Sequence, residues 1–333
     1  MKLRKILTNI LNIVLPLILG CAILYWMYRE FDFVQLQGAL LKVNWWWIAF
    51  SLVFGVTAQL FRGIRWKQTL EPLGEHPRMM DCIHAVFISY ASSLVIPRSG
   101  ELSRCGVLAR YDGTSFLKSL GTVVTERVID SLLVLFITLV VILSQVAIFS
   151  SFFDRTGTNV GEILRGFTTT GYIVTAICLV ITLVFLWILM KRFTFMEKLK
   201  DMVNKVKEGI LSLSGVKNKG LFVFYTLAIW VSYFLHYWIT FKCFDFTENL
   251  SFTVAIVSFI IGSISVIVPT PNGAGPWHFA VKTILILYGL ADTDAVTFVL
   301  IVHTIQTALV PLLGIFSLVA LSFRPVHKKV DNE

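Results

Sequence analysis

Charged residues are scarce in this sequence. Asp, Glu, Lys and Arg make up 15% of its 333 residues, whereas apolar residues make up 56%. A soluble domain usually carries about 25% charged residues. This deficit excludes a soluble globular enzyme, a disordered chain and a nucleic-acid-binding module, even though the net charge is +9. The basic residues lie between long apolar runs, as the cytoplasmic charges of membrane proteins do.

Motifs for metals, disulfides and nucleotides are also missing. The five cysteines show no paired spacing, so we expect neither a disulfide framework nor a metal site. The sequence has no Gly-x4-Gly-Lys-Ser/Thr loop of the kind that binds ATP phosphates. We therefore expect no cofactor, and we expect any transport to be passive or driven by a gradient.

Apolar runs indicate an all-α integral membrane protein. Crossing the hydrocarbon layer takes about 20 residues, and six runs suffice: Ile6–Tyr28, Trp45–Phe61, Val128–Phe149, Thr168–Met190, Leu221–Phe241 and Val296–Leu321. Two shorter runs, Cys82–Ile96 and Phe252–Val268, each end at a proline that glycines follow. Broken backbone at membrane depth is tolerated only where it is buried or lines a wet cavity. We therefore predict six full spans and two re-entrant elements.

The distribution of basic residues predicts the topology. Residues 191–220 contain eight Lys and Arg residues against three acids, so the positive-inside rule places this loop in the cytoplasm with both termini. The loop also shows an amphipathic pattern over Phe195–Ile210, typical of a helix on a membrane surface. Residues 1–150 and 168–321 would each contain three crossings and one re-entrant element. An odd number of crossings makes the second half an inverted repeat of the first, within one domain of residues 1–333.

Two groups of charged residues follow the first re-entrant run. A charge at membrane depth costs at least about 2.5–3.5 kcal/mol on insertion scales. The members are Arg98, Glu101, Arg104, Glu126, Arg127 and Asp130. Their spacing places each group along one helix face, where three arginines and three carboxylates can form a buried ion-pair lattice. The arginines are candidates to bind a lipid phosphate, because guanidinium offers two parallel donors. The alternatives are a structural lattice and a solvated rim.

The second break offers backbone groups. Asn272, Gly273 and Gly275 can adopt positive φ angles, and Pro276 can begin the returning helix. Exposed N–H groups at that helix N-terminus would favour an anion. This break is therefore a second candidate for contact with the substrate.

Three further side chains are candidates near the second break. His278 and Lys282 are four residues apart, so we expect them to face the same way. His303 and Gln306 lie in the last span with the spacing of Arg127 and Asp130. We consider His303 either as a packing residue or, with His278 and Asp130, as a proton carrier.

At these residues the sequence resembles the transmembrane flippase-like region of lysylphosphatidylglycerol synthases and stand-alone proteins that share it. The resemblance rests on Pro97-Arg98-Ser99-Gly100-Glu101 with Arg104, on Glu126-Arg127 with Asp130, and on Pro269 through Gly275. It implies a bacterial inner-membrane protein that moves phospholipids or other lipid-linked anionic molecules between leaflets. We expect no synthase activity, because only a short tail follows Leu321.

The sequence also departs from the relatives. They commonly place a glutamate just beyond the glycines, where this chain has Trp277-His278, and often an arginine near the position of His303. Both changes alter the charge in the expected cavity, so the transported lipid can differ from that of the relatives.

Two other functions remain open at this point. A membrane-embedded lipid-phosphate transferase would use Glu101, Glu126 or Asp130 as base and the arginines to stabilise the transferred charge. A non-catalytic membrane partner would dock a separately encoded soluble enzyme through the basic cytoplasmic loop. The sequence shows neither a clear nucleophile nor a metal motif for a transferase, so we expect a protein that is not an enzyme.

Overall fold

The computed structural model describes residues 33–96, 99–145, 211–268 and 270–326, and the isolated positions 21, 24, 25, 204 and 208. All regular secondary structure in these ranges is helical, and they contain no β-strand. The described α-helices are α1 Phe33–Lys42, α2 Trp45–Leu70, α3 Met79–Val95, α4 Gly100–Tyr111, α5 Phe116–Ser144, α6 Lys219–Trp238, α7 Phe252–Ser265, α8 Pro276–Leu287 and α9 Asp292–Ser322. Short 3₁₀ helices occupy Glu71–Leu73, Ser212–Gly215, Ile239–Cys243 and Pro271–Gly273.

Four of these helices are long and apolar enough to cross a membrane. They are α2, α5, α9 and α6 together with the 3₁₀ turn that follows it. The exposed residues of α5 form an apolar surface suited to lipid: Val128, Leu132, Leu135, Phe136, Leu139, Val140 and Leu143. The predicted spans Ile6–Tyr28 and Thr168–Met190 and the amphipathic segment Phe195–Ile210 lie outside the described residues. The six-span count therefore stays a prediction.

The long helices extend beyond the apolar runs that predicted them. α2 continues past Phe61 to Leu70, and α5 begins at Phe116, well before Val128. The added turns contain polar side chains that find partners on neighbouring helices, so they need not face water. Trp66 of α2, for example, donates its indole N–H to the Thr122 hydroxyl of α5 at 2.9 Å. Hydropathy does not detect such partners, so the apolar runs are shorter than the helices that contain them.

Both shorter runs form helices that end at a break. α3 ends at Val95 and α4 begins at Gly100, while α7 ends at Ser265 and α8 begins at Pro276. Serine side chains hold the first break together: the Ser99 hydroxyl donates to the Ser92 carbonyl at 2.9 Å, and the Gly100 N–H donates to the Ser93 hydroxyl at 3.0 Å. The two broken helices of the prediction are therefore present.

The order of helices occurs twice in the described chain. α2 through α5 comprise a long helix, two short helices separated by a break, and a long helix, and α6 through α9 repeat this order. Packing follows the same correspondence: α3 packs on α4 as α7 packs on α8, and α3 packs on α9 as α7 packs on α5. α2 and α6, the corresponding first helices, pack against each other. Leu94, beside the first break, and Pro271, in the second, line one cavity, so the two breaks lie near each other.

α4 approaches α3 closely at Gly100. A β-carbon at this position would collide with the Ser89 carbonyl oxygen and the Ser93 hydroxyl. We expect Gly100→Ala to lower the free energy of unfolding by about 1–3 kcal/mol, because overpacking shifts the two helices apart. Thermal unfolding of the purified protein in detergent measures the effect.

Gly106 provides the matched control for this prediction. It lies in the same helix, and among the described residues no atom beyond its own stretch of helix lies within 4 Å of a β-carbon added there. Gly106→Ala should be neutral or stabilising by about 0.5–1 kcal/mol, because alanine is the better helix former. Equal destabilisation by both substitutions would contradict the close-approach argument.

Candidate functional site: a buried arginine network between the broken helices

A buried ion-pair network joins α2, α4 and α5. Arg104 Nη2 lies 2.8 Å from Glu126 Oε2. Asp130 binds two arginines, with Arg65 Nη1 at 2.8 Å and Arg62 Nη1 at 2.9 Å. Arg65 also links the two carboxylates, since its Nε lies 3.5 Å from Glu126 Oε1. These side chains are at most 7% exposed, so the network is part of the protein interior.

Arg62 and Arg65 are members that the sequence analysis missed. It ended the second span at Phe61 and placed both residues in a cytoplasmic segment, whereas α2 carries them into the interior. A signal was available: an i, i+3 pair of arginines that directly continues an apolar run lies on one helix face. Arg65 further donates to the Thr226 hydroxyl of α6 at 3.1 Å, which ties the network to the second half of the chain.

Aromatic residues complete the surroundings of the arginines. The Arg104 guanidinium lies 4.6 Å from the ring centroid of Trp66, and Arg62 lies 5.9 Å from that of Tyr233. Such cation–π contacts strengthen when water is excluded. The Tyr233 hydroxyl is in turn 2.7 Å from the Tyr90 hydroxyl. A phenol pair therefore adjoins the network at Arg62.

Arg127 and Glu101 form a separate and more accessible pair. Arg127 Nε lies 2.9 Å from Glu101 Oε1, and each side chain is 42% exposed. The expected ion pairs of Arg104 and Arg127 are thus present, but Asp130 pairs with the arginines of α2. Arg98 lies outside the described residues.

The buried network contains more positive than negative groups. Three guanidinium groups, those of Arg62, Arg65 and Arg104, surround two carboxylates. Several of their N–H donors, including Arg62 Nε, Arg65 Nη2 and Arg104 Nε, have no hydrogen-bond acceptor in the described part of the chain. An unbalanced buried cation is costly unless an anion compensates it. The arrangement therefore favours an anionic ligand nearby.

The second break has the expected backbone geometry. Asn272, Gly273 and Gly275 adopt φ angles of 51°, 73° and 92°, and Pro276 begins α8. Its N–H groups, however, are used within the break: Gly273 N donates to Thr270 O at 3.2 Å, and Gly275 N donates to His278 Nδ1 at 3.3 Å. The expectation that these glycine N–H groups bind an anion is therefore not supported, because local acceptors already occupy them.

His303 fastens the second break to α9 through a closed ring of hydrogen bonds. The Asn272 amide donates to the Thr307 hydroxyl at 2.6 Å, and that hydroxyl lies 3.3 Å from His303 Nδ1. His303 Nε2 lies 3.1 Å from the Asn272 carbonyl oxygen. Since a carbonyl only accepts, Nε2 carries the proton and Nδ1 accepts from Thr307. Both ring nitrogens of His303 thus have a hydrogen-bond partner in this structure.

Removing the Thr307 hydroxyl tests this ring. We expect Thr307→Val to lower the free energy of unfolding by about 1 kcal/mol, because it leaves Nδ1 of the buried His303 without a partner. Thr304→Val, at an exposed threonine of the same helix, is the control and should have little effect. Denaturant unfolding in detergent distinguishes them, and equal stability of both variants would show that the ring contributes nothing.

The other two side chains predicted near the second break, His278 and Lys282, lie in different places. His278 lies beside His303, with a ring-centroid separation of 4.3 Å, and Trp277 lies 5.0 Å from His303. The positions at which the sequence departs from its relatives are therefore in mutual contact. Lys282 does not join them, because it pairs with Asp292 at the start of α9 at 2.8 Å.

Two cavities meet at His303 and Thr307. A polar cavity of about 200 Å³ is lined by Gly55, Gln59, Tyr90, Tyr233, His236, Val266, Asn272, Trp277, His303, Gln306, Thr307, Leu309 and Val310. An apolar cavity of about 530 Å³ is lined by Leu24, Leu94, Pro271, Ala274, His278, Leu300, His303, Thr304, Thr307, Ala308 and Pro311. Since Tyr90 and Tyr233 line the polar cavity, it adjoins the arginine network. Sequence analysis gave His236 and Gln59 no role, and only packing places them here.

Metal and disulfide chemistry have no candidate residues in the described ranges. No group of three His, Cys, Asp or Glu side chains in those ranges is arranged to hold a metal ion. Cys21, Cys82, Cys105 and Cys243 are free thiols. The site is therefore built from ion pairs, phenols and imidazoles.

Comparison with known proteins identifies the family of this chain. No curated protein and no solved structure gives a significant match to the chain. Residues 13–314 match the model of one protein family, described as the lysylphosphatidylglycerol synthase TM region. That match and the four long apolar helices identify an integral membrane protein with a lipid-related function. The chain belongs to the lysylphosphatidylglycerol synthase TM region family.

Proposed function

We propose that this protein is a lipid translocator that moves a phospholipid or a lipid-linked anionic substrate between the leaflets of the membrane. The substrate phosphate would bind where Arg62 approaches the Tyr90–Tyr233 pair, and the half-exposed Arg127 of α5 would be a second donor. Its acyl chains would stay in the bilayer. The observation that carries the proposal is the excess of guanidinium over carboxylate groups inside the protein, next to a cavity.

The apolar cavity supports a lipid over a small soluble anion. Among its described lining residues are Leu94, Leu300 and Pro311, and it meets the polar cavity at His303. A ligand that fills both would need one polar and one apolar part. Phospholipids have this division, whereas free phosphate does not.

Alternation between leaflets would follow from an inverted repeat of the two halves. The repeated helix order and the corresponding packing pairs support such a repeat, as does the contact between α2 and α6. Repeats related in this way commonly place the binding site at their interface and move as rigid bodies around it.

We further propose that the protein lies in a bacterial inner membrane, with both termini in the cytoplasm.

The transferase alternative has weaker support. A general base needs a carboxylate with a lone pair available to accept a proton, but Glu126 and Asp130 each bind arginines at 2.8 Å. We therefore propose a protein that is not an enzyme.

The alternative of a non-catalytic membrane partner relies on the cytoplasmic loop, most of which lies outside the described residues.

Reconstitution into vesicles tests the proposal. Phospholipid labelled on one acyl chain is incorporated symmetrically, and a membrane-impermeant reductant then quenches the outer leaflet. Protein-dependent loss of the protected inner fraction is the expected result. A protected fraction that equals that of protein-free vesicles, under both symmetric conditions and an imposed pH gradient, would contradict translocation.

A further inference from the structure

Helix α9 is bound to different partners before and after Pro311, the proline inside it. The part before Pro311 contacts the second break, where the Asn272 amide donates to the Thr307 hydroxyl, and the part after it packs on α3. We propose that residues 312–322 form a gate arm, which bends away from α3 at Pro311 and opens the apolar cavity to the side of the membrane at which α9 ends. This inference rests on the proposed function, because a translocated lipid must reach the cavity from both leaflets.

Two close contacts hold the gate arm against α3. A β-carbon added at Gly314 would collide with the β-carbon of Ala91, so the two helices touch at this point. Farther along the arm, the Ser317 hydroxyl lies 3.1 Å from His84 Nδ1. Gly314 and Ser317 are three residues apart and therefore share one face of the arm. We call this line of contacts between the arm and α3 the seam.

A buried carboxylate lies at the far end of the seam. Asp81, in the first turn of α3, is 1% exposed, and Arg324 Nη2, just beyond the gate arm, lies 3.5 Å from its Oδ1. Neither oxygen of this carboxylate accepts a hydrogen bond from the described part of the chain. A buried charged group without hydrogen bonds costs free energy, and it recovers hydrogen bonds when water reaches it. Opening the seam would therefore relieve a cost that the closed seam carries.

The apolar cavity begins where the seam ends. Leu94 of α3 and Pro311 of α9 both line that cavity. Leu94 follows Ala91 by three residues, and Pro311 precedes Gly314 by three residues, so both helices lead from the cavity into the seam. The seam therefore separates the cavity from the side of the membrane at which α3 begins and α9 ends. This is the cytoplasmic side in the topology proposed above.

Pro311 makes α9 easier to bend at the start of the gate arm. Proline has no backbone N–H, so the Thr307 carbonyl, four residues earlier, does not receive the usual helical hydrogen bond. Sharp bends in helices commonly occur at proline for this reason. The part of α9 before the proline is fixed by packing, since Phe298, Val299 and Val302 are fully buried. A bend at Pro311 would thus move the arm and leave the rest of α9 in place.

The outer face of the gate arm is suited to moving into lipid. Its large apolar side chains are more than half exposed: Leu312, Ile315, Phe316, Leu318 and Val319. In a bilayer these groups contact acyl chains whether the arm lies on α3 or away from it, so the movement exposes none of them to water. The face that would part from α3 carries Gly314 and Ser317, which bury little apolar area. Opening the seam therefore loses little hydrophobic stabilisation.

Thiol labelling tests the gate arm. Ser317→Cys places a thiol at a fully buried position of the arm, and the reconstituted protein is treated with a membrane-impermeant maleimide on both sides of the membrane. Peptide mass spectrometry reads modification at this position separately from the native cysteines. Val296→Cys is the matched control, because Val296 is 2% exposed and lies four residues from the start of α9, whereas Ser317 lies five residues from its end.

The two thiols should react at different rates. We expect Ser317→Cys to react at least about 10-fold faster than Val296→Cys, because the arm opens locally while the first part of α9 stays packed. Fraying of helix ends would expose Val296 at least as readily as Ser317. Leu321→Cys is a second reporter on the arm, since Leu321 is 1% exposed, and it replaces Ser317→Cys if that variant does not fold. Equal reaction rates at the arm and at the control position would overturn the gate.

Two further substitutions should shift the labelling in opposite directions. Pro311→Ala restores the backbone N–H, and we expect it to slow labelling of Ser317→Cys by about 5- to 20-fold. Gly314→Ala forces the arm away from Ala91 and should speed the labelling by about 5- to 20-fold. Labelling of Val296→Cys should stay unchanged in both, which separates movement of the arm from general destabilisation. An unchanged labelling rate in Pro311→Ala would overturn the hinge.

Failure of the inference is distinguishable from failure of the proposed function, because labelling is measured without lipid movement. Protection of Ser317→Cys in vesicles that do exchange lipid would overturn the gate and leave translocation intact. Labelling as expected, without protein-dependent lipid exchange, would contradict translocation and leave the movement of the arm in place.

Discussion

Glu126→Gln should destabilise the protein by about 3–5 kcal/mol, enough to abolish most folded material. Glu126 is fully buried and lies 2.8 Å from Arg104 and 3.5 Å from Arg65. Removing one partner of a buried ion pair leaves the other charge without compensation, and that penalty is large. Here the substitution would leave three buried guanidinium groups with the single carboxylate of Asp130. Yield of monodisperse protein and its thermal unfolding in detergent measure the loss.

Two further variants show whether charge imbalance is the cause. Glu71→Gln removes a carboxylate from a partly exposed pair in which Lys67 Nζ is 3.9 Å away, and pairs near the surface contribute about 0–1 kcal/mol. It should change little. The triple variant Arg65→Met, Arg104→Met, Glu126→Leu replaces the charges by apolar groups of similar size and should recover stability. Wild-type stability of Glu126→Gln would contradict this account of the network.

Arg127→Ala should slow lipid exchange in vesicles by about 10- to 100-fold while the protein stays folded. A hydrogen-bonded charge contributes about 1.5–3 kcal/mol, which corresponds to that range when the contact forms with the moving substrate. Little stability should be lost, because the Arg127–Glu101 pair is half exposed and exposed pairs are weak. Initial exchange rates at fixed protein density and the unfolding temperature together measure both effects.

Controls for Arg127 separate phosphate binding from a general charge effect. Arg78 pairs with Asp112 at 3.5 Å and is 54% exposed, and Asp112, which is 6% exposed, keeps the hydrogen bond from the Arg78 backbone N–H, so Arg78→Ala removes the same charge elsewhere and should keep exchange. Arg127→Lys should retain part of the rate, because lysine keeps the charge but loses the planar pair of donors. Unchanged exchange in Arg127→Ala would exclude the phosphate-binding mechanism.

Much of the helical framework was predictable from local sequence. The scarcity of charge and the apolar runs indicated a helical membrane protein, since long apolar helices are stable in a bilayer. Proline and glycine located both breaks, and Asn272, Gly273 and Gly275 have the expected positive φ angles. The ion pairs of Arg104 and Arg127 also connect residues that the sequence had singled out. Backbone preference and burial act locally, so single segments reveal them.

Only the tertiary structure decided which charges and polar groups meet. Asp130 pairs with Arg62 and Arg65 of another helix, and Lys282 pairs with Asp292 instead of facing the site. Spacing along one helix identifies a common face but not the helix that packs against that face. Gln59 and His236 line one cavity because α2 and α6 pack together, a contact between distant parts of the chain that no local pattern encodes.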